Sequence, residues 1–257
     1  MINFLKKPNE KVFNIGSLGA DELLYKVFPR LFMEILKKYF RLEIEGIENI
    51  PLNGPVIIAP NHSGFTAMDA MVLAYILQER TKRIPRVLTH HLWFLTETTA
   101  LPAHKLGFFE ATYENGLQFL KKNQMIVLFP EGEHGNFKPT TKRYQLQEFK
   151  RGFVRLSIES QAQIIPTIVL GAEETHINLR KLKFTKFLHG LVLPLPLNVI
   201  PLPAKWKIIF KKPVSLPYEP EKIKDSELMR DLAFDIQEKM QKRINDEIKS
   251  GGFGFFR

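Results

Sequence analysis

The chain has 257 residues, of which 44% are hydrophobic, and its formal net charge is +10 at pH 7. A chain of this length can bury a sizeable core without cross-links, and because it contains no cysteine, disulfides, thiolate metal sites and a cysteine nucleophile are excluded. The positive charge favours anionic partners, such as nucleic acid, an anionic membrane face, phosphorylated cofactors or acidic carrier proteins, without choosing among them.

Residues 1–20 show no strong periodicity and are predicted to form a loose arm, followed by one domain over residues 21–257. The first residues lack the apolar stretch and small-residue cleavage site of a secretory signal. The sequence contains no run of about eighteen apolar residues, so no membrane span is predicted. We therefore expect a chain that is exposed to the cytoplasm.

The segment that begins at Asp21 is predicted to contain an amphipathic helix, with Pro29 suited to its first turn. Its apolar residues recur at helical spacing and are Phe28, Leu31, Phe32, Ile35, Leu36 and Tyr39. Two interpretations stay open. The helix covers the core of the domain, or it lies in a membrane surface, as its aromatic residues and basic flanks also allow.

Short apolar runs then alternate with helical patterns. The predicted strands are RLEIEGIENI, VIIAP, RVLTH, MIVLFP, IIPTIVLGA and KWKIIFKKPV. The predicted helices are TAMDAMVLAYILQER, Leu92–Thr98, Glu114–Lys122, LQEFKRGFVRLSIES and a long terminal helix that ends at a glycine pair. This alternation predicts an α/β fold in which helices flank a mostly parallel sheet.

Two further segments have no regular pattern. The proline-rich stretch LVLPLPLNVIPLPAKW is predicted to be a packed, extended loop, since proline cannot donate a backbone hydrogen bond within a central strand. The tail FGFFR is either disordered or a small aromatic anchor.

Polar side chains follow three of the predicted strands. They lie in the stretches PNHSGFTAMDA after VIIAP, PEGEHG after MIVLF, and GAEE after IIPTIVL. Because ligands of open α/β sheets bind outside the carboxyl ends of the strands, we expect these residues to converge on one site. His62 and Asp69 are the candidate base and orienting acid within it.

The ordered set APNHSG, FPEGEHG and IIPTIVLGAEE resembles the glycerolipid (lysophospholipid) acyltransferase family, including 1-acylglycerol-3-phosphate acyltransferases. The resemblance covers roughly residues 42–174 and implies a glycerol-3-phosphate acyltransferase-like fold. It implies that His62 is a general base, which takes the proton of an acceptor hydroxyl as that hydroxyl attacks an acyl thioester. An imidazole suits this step because it titrates near neutral pH. The residues that the resemblance assigns to substrate binding are Asn61, Ser63, Gly64, Glu131, Gly132 and His134.

The motifs differ from the family pattern at three places. One is the segment KLGFFEATYEN, which lacks the arginine that many lysophosphatidate-specific members carry, so lysophosphatidate is a weakened candidate acceptor. The family's acid usually lies five positions after the histidine, where this chain has Ala67, and Asp69 is the nearest carboxylate. Asp69 is predicted to orient His62, although Thr66 and Asp69 also fit a helix capping box. His134 occupies the place of the family's phosphate-binding arginine. Replacement charge is available from a basic run that also fits a solvated face, namely Lys138, Lys142, Arg143, Lys150 and Arg151.

Other classes of function fit the residues less well. A metal hydrolase would use the histidines of this half of the chain, but there is no HExxH motif, and His90 and His91 are expected to point to opposite faces of a strand. A serine hydrolase would need GxSxG, which is missing, and no nucleic-acid-binding motif is present. A non-catalytic lipid-binding protein remains the main alternative.

The sequence therefore predicts a peripheral acyltransferase on the cytoplasmic face of a membrane. Its acyl donor is expected to be acyl-CoA or acyl-carrier protein, and its acceptor a lysophospholipid, a related glycerolipid, or a neutral lipid such as diacylglycerol. No resident cofactor, metal or nucleic acid is expected, and the oligomeric state is left open.

Overall fold

The computed structural model describes residues 19–62, 67–136, 138–184 and 191–251. Within them, seven strands form a central sheet in the order β1-β9-β6-β2-β5-β3-β4, and β7 and β8 form a separate two-stranded sheet. The strands are β1 (Glu43–Glu45), β2 (Val56–Pro60), β3 (Arg86–Thr89), β4 (Phe108–Glu110), β5 (Met125–Val127), β6 (Gln163–Leu170), β7 (Asn178–Phe184), β8 (Leu191–Pro196) and β9 (Lys207–Phe210).

The sheet is mostly parallel, as predicted. Strand β2 lies between β5 and β6 and pairs parallel with both, and β3 continues the parallel pairing from β5 to β4. Strand β9 runs antiparallel to β6 and pairs parallel with β1. The carboxyl ends of β2, β3, β5 and β6 consequently lie at one edge of the sheet, where the polar motifs begin.

Helices cover both faces of this sheet. Their bounds are α1 (Ala20–Glu22), α2 (Phe28–Tyr39), α3 (Met68–Thr81), α4 (Glu97–Lys105), α5 (Tyr113–Lys121), α6 (Glu133–Asn136), α7 (Gly152–Ser160) and α8 (Ser226–Ser250). Ile57 and Ala59 of β2 pack in the cluster that contains α7 and α8, whereas Val56 and Ile58 pack in the cluster that contains α2 and α3. Because both faces of β2 are buried, its sequence is a continuous apolar run rather than an alternating one.

The C-terminal helix α8 is joined to the edge of the sheet by a cluster of four charged residues. Lys207 and Arg243 both bind the carboxylate of Glu247, at 2.9 Å and 2.6 Å, and both also bind Glu45. Burial raises the pKa of Glu247, but the hydrogen bonds from the two cations outweigh burial and hold this pKa below its ordinary value of 4.5.

A single turn of π-helix, Leu23–Val27, joins α1 to α2. The N–H of Phe28 donates to the carbonyl of Leu23, five residues earlier. The next residue, Pro29, has no N–H, so it cannot continue the regular α-helical bonding there. The helix predicted from Asp21 is therefore present, and the residues before Gly19 lie outside those described.

Helix α2 buries a narrower stripe than its sequence pattern indicates. Met33, Leu36 and the following Phe40 are buried, and the Phe40 ring stacks on Trp206 at 4.4 Å. Most of the apolar residues in the predicted stripe are instead exposed, namely Phe28, Leu31, Phe32, Ile35 and Tyr39. Among the described residues, none of the helices has both the length and the apolar character to cross a bilayer.

The strand predicted over RLEIEGIENI covers only Glu43–Glu45, and a 3-10 helix follows at Ile47–Asn49. Two further segments differ from their prediction. The helix predicted from Leu146 begins only at Gly152, because the N–H of Phe149 donates to the side chain of Gln237 and the N–H of Lys150 donates to the carbonyl of Pro130. These partners in other parts of the chain keep residues 147–150 out of the helix.

The proline-rich segment predicted to be a loop contains strand β8. Its prolines Pro194 and Pro196 pair with Lys181 and Asn178 of β7, outside the central sheet. Proline is tolerated there because a strand of a two-stranded sheet has one edge without a partner strand. Residues 197–205 form an irregular connection with bends at 197, 199 and 200. Leu197, Val199 and Ile200 are exposed there, so the prediction of a packed, extended loop is wrong for this part. The tail FGFFR lies outside the described residues.

Candidate active site

The carboxyl end of β2 is fastened to β6 by Asn61. The Asn61 amide donates to the carbonyl of Val169 at 3.0 Å, and its side-chain oxygen accepts from the N–H of Val169 at 2.7 Å. The side chain is buried. Asn61 thus holds the chain in place immediately before His62, and its predicted role in substrate binding stays a prediction.

His62 and Asp69 lie together, as the sequence predicts. The Nδ1 atom of His62 is 2.7 Å from Oδ2 of Asp69, whose carboxylate is fully buried. An ionised carboxylate only accepts hydrogen bonds, so the Nδ1 atom carries the shared proton. This arrangement places the basic lone pair of the imidazole on Nε2.

The backbone before α3 explains how the seven-residue spacing brings these two side chains together. Ala67 adopts a left-handed conformation with φ of +56°, and α3 begins at Met68. Asp69 is therefore the second helical residue rather than the third, and its Oδ1 accepts from the N–H of Ala70 at 2.8 Å. The capping box predicted with Thr66 at the N-cap and Asp69 third in the helix is therefore wrong, because Ala67 is the N-cap. Residues 63–66, including Ser63 and Gly64, lie outside the described part of the chain.

The ring of His62 is also held by an aromatic contact. It stacks on Phe129, which follows β5, with ring centroids 4.1 Å apart and planes inclined by 28°. The His62 side chain is 14% exposed, whereas that of Asp69 is 0% exposed. The imidazole is thus fixed on two sides and still reaches the surface, as a general base must.

Glu131 of the FPEG motif clamps the backbone of the site. Its Oε1 accepts from the N–H of His62 at 2.9 Å, and its Oε2 accepts from the N–H of Gln147 at 2.7 Å. The residue is completely buried. Gly135 makes room for it, because a Cβ at Gly135 would lie 2.6 Å from the Cβ of Glu131.

A buried lysine and a second glutamate extend this clamp. Lys138 lies 2.7 Å from Glu173, which follows β6, and 3.7 Å from Glu131. Burial lowers the pKa of Lys138, but the charges of Glu173 and Glu131 outweigh burial and raise this pKa above its ordinary value. Lys138 is therefore an internal partner of the clamp and not a source of surface charge. Burial also raises the pKa of Glu173.

Gly132 and His134 follow Glu131 in the chain. Gly132 has φ of +56°, and a Cβ on it would lie 3.0 Å from Nζ of Lys150. The left-handed backbone favours glycine at this position, and the lysine end that a Cβ would meet belongs to a flexible side chain that can move aside. His134 and Lys150 line a common pocket. The substrate-binding roles predicted for Glu131, Gly132 and His134 stay predictions.

His90 and His91 were expected on opposite faces of a strand, and this is wrong. Strand β3 ends at Thr89 and a 3-10 helix begins at His91, so the alternation of a strand does not apply, and the two rings lie 4.2 Å apart. The Nε2 atom of His90 is 3.9 Å from Glu133. Within the described residues, no group of three potential metal ligands is found.

Sequence reasoning gave no individual role to two residues near the site. Phe129 was part of the FPEGEHG block, without its contact to the ring of His62. Glu173 was expected among the polar residues that converge on the site, without its ion pair to Lys138. The signal for Glu173 was present, because it follows a buried parallel strand at the same edge as Glu131. No sequence signal identifies the aromatic support of His62.

Comparisons with known proteins find similar sequences and a similar fold. The model of the Acyltransferase family matches residues 41–170. An uncharacterized protein of Mycobacterium tuberculosis is 30% identical over 224 residues, which are 82% of this chain and 63% of that protein. The lyso-glycine lipid O-acyltransferase of Phocaeicola vulgatus is 28% identical over 63% of this chain and 54% of its own length. This chain thus spans less than two thirds of either relative.

A solved structure shows the same fold. The crystal structure of the 1-acyl-sn-glycerophosphate (LPA) acyltransferase PlsC from Thermotoga maritima superposes with a TM-score of 0.56 over 90% of this chain and 84% of that one, at 15% identity. The predicted fold, a mostly parallel sheet flanked by helices, is thereby confirmed.

Proposed function

Because this chain belongs to the Acyltransferase family, we propose that it transfers a fatty acyl group from a thioester of CoA or acyl-carrier protein to a hydroxyl of a lysophospholipid or related glycerolipid. The observation that carries the proposal is the 2.7 Å contact between His62 and the buried Asp69 at the carboxyl edge of the sheet. Two of the similar proteins are also named for acyl transfer to lipids.

The proposed reaction begins when the acceptor hydroxyl gives its proton to Nε2 of His62. The hydroxyl oxygen then forms a bond to the thioester carbonyl carbon. The tetrahedral intermediate collapses, the carbon–sulfur bond breaks, and the leaving sulfur takes a proton from the imidazolium. Asp69 stabilises the positive charge that the ring carries between the two proton transfers.

The protein also contributes by positioning. Glu131 binds the backbone N–H of His62, and Phe129 packs against its ring. A base that is held in one orientation reacts faster, because less motion has to be restricted when the substrate is bound. This support distinguishes His62 from an ordinary surface histidine.

We further propose that α2 binds the cytoplasmic face of a membrane peripherally. Its exposed apolar residues include Phe28, which is 56% exposed. Beyond its end, hydrogen bonds from Tyr39 to Pro201 and from Arg41 to Pro203 hold a second apolar segment beside it, in which Val199 is 79% exposed. The net charge of +10 complements the anionic lipids of the cytoplasmic leaflet.

Phe28→Glu tests the membrane surface, and Phe234→Glu is its matched control. Phe234 is 58% exposed and lies on α8, which covers the opposite face of the sheet. In co-sedimentation with vesicles that contain anionic lipid, we expect Phe28→Glu to lose binding and Phe234→Glu to retain it. Equal binding by both variants would refute the placement of the membrane surface on α2.

The activity is tested by acceptor-dependent thiol release. Since the chain has no cysteine, a thiol reagent reports only the thiol freed from palmitoyl-CoA or from palmitoyl-acyl-carrier protein. We expect release in the presence of vesicles and one of a panel of lysolipids, diacylglycerol and other alcohols, with the acylated lipid as product. If the protein binds vesicles but releases no thiol from either donor with any of the acceptors, acyl transfer is contradicted and non-catalytic lipid binding is favoured.

A further inference from the structure

Three charged side chains are buried together next to the backbone of His62. Lys138 lies 2.7 Å from Glu173 and 3.7 Å from Glu131, and the three side chains are between 0% and 6% exposed. Two carboxylates thus share one ammonium. A charge that is buried without a partner is strongly unfavourable, so the charge balance of this cluster depends on Lys138.

The two carboxylates of the cluster hold different parts of the backbone. Both oxygens of Glu131 accept from backbone N–H groups, one of which is that of His62. Glu173 accepts from the N–H of Tyr144 and pairs with the ammonium of Lys138. The backbone of His62 is therefore held directly by Glu131 and not by Glu173.

Lys138 acts on Glu131 mainly through its charge. The 3.7 Å separation exceeds that of an ordinary hydrogen bond, and the ammonium donates to the carbonyl of Gln145 at 3.1 Å. Among the described residues, no other lysine or arginine forms an ion pair with either glutamate. If this charge were removed, two carboxylates would repel each other in one buried site, and one of them would be driven to take up a proton.

We propose that Lys138 is a positioning residue: its ammonium offsets the charge of Glu173, so that Glu131 stays ionised and keeps its bond to the N–H of His62. The inference rests on the proposed function, in which His62 is the general base. Protonation converts one carboxylate oxygen into an O–H donor, which would face a backbone N–H that is itself a donor. Loss of Lys138 would thus loosen the segment that holds the base.

Charge compensation distinguishes this role from a purely structural one. Lys138→Met keeps much of the length of the side chain and removes its charge, and Glu173→Gln removes the carboxylate that Lys138 offsets. We expect Lys138→Met to lower kcat for acceptor-dependent thiol release about ten- to a hundredfold, as for a displaced base, with KM for the donor little changed. In the double variant, Glu131 remains as the one charge of the cluster, and kcat should return close to that of the wild type.

Lys207→Met is the matched control. Lys207 also lies between two glutamates, 3.0 Å from Glu45 and 2.9 Å from Glu247, whereas the N–H of His62 binds Glu131. The same substitution at Lys207 should lower stability in urea denaturation and leave kcat unchanged.

An amide resonance tests the hold on His62 without turnover. The chain has seven histidines, so 15N-histidine labelling gives few amide signals, and the signal that disappears in His62→Ala belongs to His62. The bond from this N–H to a charged carboxylate is strong. Its weakening in Lys138→Met should move the amide proton upfield, and the double variant should reverse the shift.

The proposal is overturned if Lys138→Met leaves either the His62 amide signal or the kcat of an active enzyme unchanged. It is also overturned if the double variant is as impaired as Lys138→Met, since a second substitution does not restore a structural role. An amide shift that the double variant reverses, in a chain that releases no thiol, would contradict the proposed function and support the hold of Lys138 on His62.

The double variant also decides the case in which Lys138→Met does not fold, because it leaves no uncompensated pair of carboxylates. A double variant with the amide signal and kcat of the wild type supports the charge balance. A double variant that is unfolded or inactive, beside an active Glu173→Gln, overturns it.

Discussion

Glu131→Gln separates a positioning role of the FPEG glutamate from a purely structural one. Glutamine keeps the shape of the side chain but has one acceptor oxygen where the carboxylate has two. The carboxylate accepts from the N–H groups of both His62 and Gln147, so one of these N–H groups loses its acceptor. Because Glu131 is completely buried, the free energy of unfolding should fall by about 1–3 kcal/mol, measured by urea denaturation.

The same substitution loosens the backbone that carries the base. A displacement of about 1 Å at a reacting group lowers a rate by about a hundredfold. We therefore expect kcat for acceptor-dependent thiol release to fall between about ten- and a hundredfold, with KM for the donor little changed. We expect kcat to fall while KM stays the same because the substitution displaces the base and leaves donor binding unchanged.

Glu173→Gln is the matched control. Glu173 belongs to the same buried cluster, but its carboxylate holds Lys138 and the N–H of Tyr144 rather than the backbone of His62. It should lose a similar amount of stability while kcat stays close to that of the wild type. Equal losses of kcat in both variants, or an unchanged kcat in Glu131→Gln, would refute the reasoning that Glu131 positions His62.

Three further substitutions test other parts of the account. Asp69→Asn should lower kcat for thiol release by about 10³–10⁴-fold. The reason is that an amide can donate to Nδ1 of His62, which moves the ring proton to Nε2. An undiminished kcat would exclude the orienting role. Glu247→Gln should destabilise the protein by about 1–2 kcal/mol at pH 7. The folded pKa of Glu247 is lowered from 4.5, so this stabilisation is present above pH 4.5 and is lost as pH falls through the lowered value. In urea denaturation, the stability difference between wild type and Glu247→Gln should therefore shrink in acid, and a difference that grows in acid would contradict the assignment. Gly171→Ala should destabilise by more than about 2 kcal/mol, because φ is +84° and a Cβ would overlap the carbonyl of Lys205; an unchanged melting temperature would oppose this.

The sheet and its polar edge could be predicted because their signals are local. Strand β2 is a run of five residues that are all buried, and such runs alternate with helical patterns only in a few architectures. The same logic placed His62, Glu131 and Glu173 at one edge, since each follows the carboxyl end of a parallel strand. The contact between His62 and Asp69 followed from their positions on either side of a helix start.

Features that depend on distant partners could not be predicted. The start of α7 is set by bonds from residues 147–150 to residues such as Gln237, nearly ninety positions away. Strand β8 exists because β7 pairs with it, although its prolines argue against a strand. Lys138 belongs to a basic run whose sequence also fits a solvated face, but it is buried and forms an ion pair with Glu173. Whether such a lysine is solvated or buried depends on the fold, which brings its distant partner to it.

The exposed side of α2 shows the limit of periodicity. The spacing of its apolar residues predicted one face, but the core needs only Met33, Leu36 and Phe40 from this segment. A sequence pattern shows that a helix has an apolar face, but it does not show whether another part of the protein covers that face. Only the packing of α2 shows which of its apolar residues are buried and which are exposed.

The most direct test of the account is the kcat of His62→Ala in acceptor-dependent thiol release, with His104→Ala as the control. His104 is an exposed residue of α4, so its loss changes histidine content without changing the site. We predict that His62→Ala lowers kcat by about 10²–10⁴-fold and that His104→Ala retains the wild-type rate. If His62→Ala, folded by its thermal melt, releases thiol at the wild-type rate, His62 is not the general base and the proposed mechanism is contradicted.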